Sequence, residues 1–84
     1  MGLLTSNKKS RIEDIKRQIE RFKSDMECAK DNLKRAKAAL ATAKKNKSGV
    51  GGCQNNVDGY KRRIETLKNQ IASAKKDIAR IKES

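Results

Sequence analysis

Lysine recurs at every seventh position in both halves of this sequence: Lys16, Lys23, Lys30, Lys37 and Lys44, then Lys61, Lys68, Lys75 and Lys82. The chemistry such rows offer is anion recognition, because an ammonium carries three donors, a full charge and no acceptor. Beside each row runs an apolar seam spaced alternately by three and four residues, which puts the lysines on one flank of a two-helix coiled coil. In an antiparallel pair of such helices the two rows share a side and face each other. Like charges held side by side cost free energy unless something anionic offsets them. Glu13, Glu20, Glu27, Asp58 and Glu65 each stand three residues before a row lysine, whereas Lys37, Lys44, Lys75 and Lys82 have no such acid. The simple reading is a solvated face whose lysine stems cover the seam. The uneven compensation points instead to an anionic partner outside the chain.

Charge is also uneven along the sequence. No acid occurs from Asn32 through Val57, and residues 32–64 hold nine cationic side chains against Asp58 alone, so they carry +8 of the net +12. Lys34, Arg35, Lys37, Lys44, Lys45, Lys47, Lys61, Arg62 and Arg63 are therefore candidate partner-binding groups, with Lys75 and Lys82 extending the flank. A basic tip of this kind could grip phosphates in a salt-dependent manner. It lacks the rest of a nucleic-acid reader. Phe22 and Tyr60, the only aromatics, belong to the seams and leave nothing for base stacking, and no helix-turn-helix, zinc-finger or basic-zipper signature is present.

Catalysis has no visible support. Histidine is absent, which removes the usual general base and the commonest metal ligand. Cys28 and Cys53 match no metal spacing and are expected to be free thiols, and the glycines at 49, 51 and 52 lack the lysine and hydroxyl of a phosphate loop. We therefore expect no enzyme, no cofactor and no metal. No apolar run reaches the ~20 residues of a membrane span, and the N-terminus lacks the apolar core of a signal peptide. Residues 1–6 satisfy a loose N-myristoylation pattern, with Lys8, Lys9 and Arg11 as a second membrane signal, and lipidation stays open as a lesser alternative. A cytoplasmic location is expected, or export with a partner by a route that needs no signal peptide.

The seams also define the elements that carry these groups. After a lead over residues 1–9, Ser10-Arg11-Ile12-Glu13 fits a capping box, and a first helix is predicted over about 10–46. Gly49, Val50, Gly51 and Gly52 mark a bend over 47–54. Asn55 or Asn56 is placed to cap a second helix, predicted over about 55–83. Residues whose numbers sum to 100 then pair apolar with apolar, as in Ala29 with Ile71 and Leu33 with Leu67. The predicted fold is all-α, an antiparallel two-helix coiled-coil hairpin over 10–84 that completes a larger helical bundle by association. In that register Ile12 and Ile15 have no mate, and with Leu3 and Leu4 they form an apolar overhang offered as a second partner-binding surface.

A long helix, a glycine bend and a second helix, with Val50-Gly51-Gly52 at the bend, resemble the small helical-hairpin proteins of type VII secretion systems, the Trp-x-Gly family. They are similar as well to the hairpin partners that accompany LXG-domain toxins. Valine stands here where that family has tryptophan. The family's export signal, a tyrosine with an acid four residues on, is unmatched, because Ile64 occupies that place after Tyr60. The resemblance implies an adaptor or co-secreted partner that packs against a helical, acidic protein. The alternatives left open are a phosphate-backbone nucleic-acid binder and a structural homo-oligomer built from copies of this chain.

Overall fold

Two α-helices laid side by side make up the computed structural model, which describes residues 2–83, with side chains described over 7–83. Helix α1 spans Gly2–Asn46 and helix α2 spans Val50–Glu83. Together they form an all-α hairpin, a rod of 67 × 15 × 12 Å. Both helices lack proline and repeat apolar residues at three-four spacing, so each presents one continuous stripe, and the stripes bury each other. Ile19, Ala29, Leu40 and Ala43 of α1 are buried against Val57, Ile64, Leu67, Ile71, Ala74 and Ile81 of α2. Leu67 is the most deeply buried large side chain, 1% exposed.

The chain reverses over only three residues. Lys47 adopts φ 55° and Gly49 φ 73°. The Lys47 N–H donates to the Lys44 carbonyl at 3.3 Å and the Ser48 N–H to the Ala43 carbonyl at 3.1 Å. This pair of bonds is a Schellman closure, with Lys47 in the left-handed position usually taken by glycine. Gly49 then opens α2, its carbonyl accepting the Cys53 N–H at 3.1 Å.

The element bounds differ from those expected. Helix α1 starts at Gly2, so the lead expected over 1–9 is helical from Gly2 onward and Ser10 lies inside the helix rather than capping it. Leucine and lysine between Gly2 and Ser10 favour helix, and nothing there stops it. Helix α2 starts at Val50, so Gly51 and Gly52 are helical, while Asn55 and Asn56 are exposed residues within the helix rather than caps. Two helical glycines cost about 1 kcal/mol each. Half-burial of Val50 and Cys53, which extend the second seam toward the bend, offsets that cost together with the added backbone bonds.

The earlier start of α2 changes the register by one heptad. Ile19 clusters with Ile71 and Ala74, and Ala29 clusters with Ile64 and Leu67 rather than with Ile71 as the sum of 100 requires. Numbers summing to 93 describe this arrangement, as in Ala29 with Ile64 and Ile19 with Ala74. The expectation that Ile12 and Ile15 extend beyond α2 is thereby corrected. Ile15 packs against the cluster of Ile19, Ile71 and Ala74, and Ile12, half-buried, falls level with Ile81. Leu3 and Leu4 lie in the first turn of α1, where side chains are outside those described, as does the lipidation pattern.

Two substitutions test this backbone account. Lys47→Gly relieves the left-handed residue, and Gly59→Ala strengthens a helical position where an added Cβ meets nothing within 4 Å. Each is expected to stabilise the hairpin by about 0.5–1 kcal/mol, read from thermal unfolding by circular dichroism.

Candidate functional site: the lysine flank

One ion pair assigns the sides of the rod. Arg63 Nη2 lies 3.9 Å from Asp25 Oδ2 across the hairpin. Asp25 precedes the seam residue Met26, and Arg63 precedes the seam residue Ile64. Residues that stand just before those seam positions therefore share one flank on both helices. Every row lysine instead directly follows a seam residue, as Lys30 follows Ala29 and Lys68 follows Leu67. Both rows consequently lie together on the opposite flank, running the length of the rod. All nine row lysines are exposed.

Their partners are few. Among the described residues four ion pairs form within 4.0 Å, and three of them, Arg17–Asp14, Arg63–Asp25 and Arg80–Asp77, leave the row untouched. Only Lys23 pairs, with Glu20 at 3.9 Å. Glu13, Glu27 and Glu65 stay outside ion-pair distance of their row lysines, and Asp58 instead accepts a bond from Gln54 Nε2 at 3.0 Å. Exposed pairs of this type are worth at most ~1 kcal/mol even where they close. The row is thus a concentrated, mostly unneutralised field on one side of the rod. Lys44 and Lys82 have a second role, since each lies in the last turn of its helix and offsets the negative end of the helix dipole.

The remaining cations of the bend end are spread around the rod rather than gathered on one side. Lys34 stands three residues before Lys37 and joins the lysine flank, which already includes Lys37, Lys44, Lys61, Lys75 and Lys82. Arg35 and Arg63 belong to the opposite flank, Lys45 and Arg62 to the outer faces, and Lys47 to the bend. The heptad period disperses the bend-end charge around the rod. What it concentrates is the row.

The opposite flank carries an open groove of about 500 Å³, lined by residues that include Asp25, Cys28, Asn32, Asn56, Tyr60 and Arg63. Apart from the Asp25–Arg63 pair its lining is uncharged. Cys28 is exposed there, Cys53 is half-buried in the second seam, and both are free thiols. Proximity to the glycines makes Cys53 look like a bend residue; its signal as a seam residue is the three-four spacing from Val50 to Val57. Among the described residues no group of three or more His, Cys, Asp or Glu side chains is placed to hold a metal ion, and no helix is long and apolar enough to cross a membrane.

No family model matches this chain, and neither a curated protein nor a solved structure matches it.

Reversing one row charge tests the electrostatic account. Lys68→Glu places an acid between row lysines and is expected to raise stability at low salt by a few tenths of a kcal/mol, where Arg63→Glu, which sets two acids together, lowers it. Paired urea titrations in dilute buffer read the difference.

Proposed function

We propose that this protein is a non-enzymatic helical adaptor whose lysine flank binds an acidic helical protein, the role expected of a hairpin partner in a type VII secretion toxin system. The observation that carries the reading is the flank: nine lysines in register along the rod, of which only Lys23 has an acid within 4.0 Å among the described residues. Ile15 packs within the hairpin and Ile12 is half-buried, so the partner is held by charge more than by a fully exposed apolar end. Export together with that partner belongs to the same proposal.

Nucleic-acid binding is the rival. It is disfavoured because Arg35, Arg62, Arg63 and Lys45 face different sides of the rod, and because Tyr60 is half-buried at the seam rather than free to stack on a base. The experiment is a direct comparison at physiological salt. The adaptor reading expects a neighbouring gene to encode an acidic helical protein with which the hairpin co-purifies, and no measurable anisotropy change with labelled duplex DNA or RNA. Tight duplex binding with a steep logarithmic dependence on salt overturns it.

A further inference from the structure

The flank has a floor as well as walls. Ile12, Met26, Leu33 and Ile78 are only half-buried, and each has a row lysine four residues further on, one helical turn away on the same face. These side chains lie on the lysine side of the seam, between the two rows. The result is a shallow channel with a cationic wall along each edge and an apolar floor that is accessible at these four residues and closed where Ile19, Leu40, Val57, Ile64 and Ile71 of the same side are buried. Its repeat is seven residues, about 10.5 Å at 1.5 Å per residue.

We propose that the occupant of this channel is a single amphipathic helix that carries carboxylates on both edges of its apolar stripe at seven-residue spacing, so that hairpin and partner form a three-helix coiled coil. This rests on the adaptor reading and specifies its partner. Such a helix has the same period as the channel, so an acid that meets Lys23 is followed one heptad later by an acid that meets Lys30. Two walls require two acidic edges. The apolar stripe between them covers Met26, Leu33 and Ile78, and removal of water around those residues strengthens the surrounding ion pairs.

Other occupants fit the channel less well. Duplex DNA presents a phosphate every 3.4 Å per strand on a backbone that winds round once in about 34–36 Å. A straight rod 67 Å long meets such a backbone only where the two cross. A bilayer surface is flat and gains nothing from a channel walled on both edges. A second copy of this chain would bring its own lysine rows against these, a like-charge contact along the whole length.

The test uses the full chain and a synthetic four-heptad helix with glutamate on both edges of a leucine–alanine stripe, titrated by calorimetry at physiological salt. A one-to-one complex with a gain in helicity is expected. The double variant Lys23→Glu, Lys68→Glu is expected to weaken it at least about tenfold, while Arg21→Glu, Arg35→Glu, an equal charge change on the opposite flank, leaves affinity within about twofold. Circular dichroism verifies that both variants keep the hairpin. Equal loss in the two variants, equal binding of a peptide whose glutamates all oppose its apolar stripe, or stronger binding of duplex DNA overturns the proposal. Failure of the peptide while the neighbouring-gene protein still binds overturns the helix-in-channel proposal alone. Failure of both overturns the adaptor reading with it.

Discussion

A seam that repeats every seven residues fixes the azimuth of every other position on its helix, and in this hairpin that constraint brings two rows of lysine onto one flank. Neither helix can turn its lysines away without turning Leu67, Ile71 or Ala29 out of contact. The bend leaves no freedom either. Lys47 and Gly49 close the chain over three residues, which holds the helices antiparallel and sets which layers meet.

The balance of magnitudes favours the seam. Full burial of one leucine-sized side chain is worth about 1.5–3 kcal/mol. Two ammonium groups about 8 Å apart in water repel by roughly 0.5 kcal/mol before salt screens them. Apolar contact along the rod therefore outweighs a row of such repulsions, and the hairpin folds with its field intact. That field is left largely uncompensated by the acids of the described residues. The opposite flank offers no equivalent, since Asp25 and Arg63 neutralise each other at 3.9 Å.

Period was legible in the sequence; register was not. Three-four spacing from Ile12 to Ala43 and from Val57 to Ile81 implied two helices, a hairpin and a lysine flank, and all three are present. A heptad seam, however, looks the same after a shift of seven, so sums of 100 and of 93 both pair apolar with apolar. Only the bend distinguishes them. Gly49, Gly51 and Gly52 read as equivalent turn residues, yet only Gly49 takes a positive φ, and the other left-handed position falls on Lys47. Once α2 begins at Val50, the seam gains Val50 and Cys53, and Ile12 and Ile15 come level with α2.

The seam holds like charges together against their repulsion. The most direct measurement is the melting temperature of the isolated protein as sodium chloride is raised. The Debye length falls from about 30 Å at 0.01 M to about 8 Å at 0.15 M. If the two lysine rows face each other across the seam, screening relieves the fold and the melting temperature rises over this range. A melting temperature that falls with added salt would mean that attraction, not repulsion, dominates the surface, and would contradict the account.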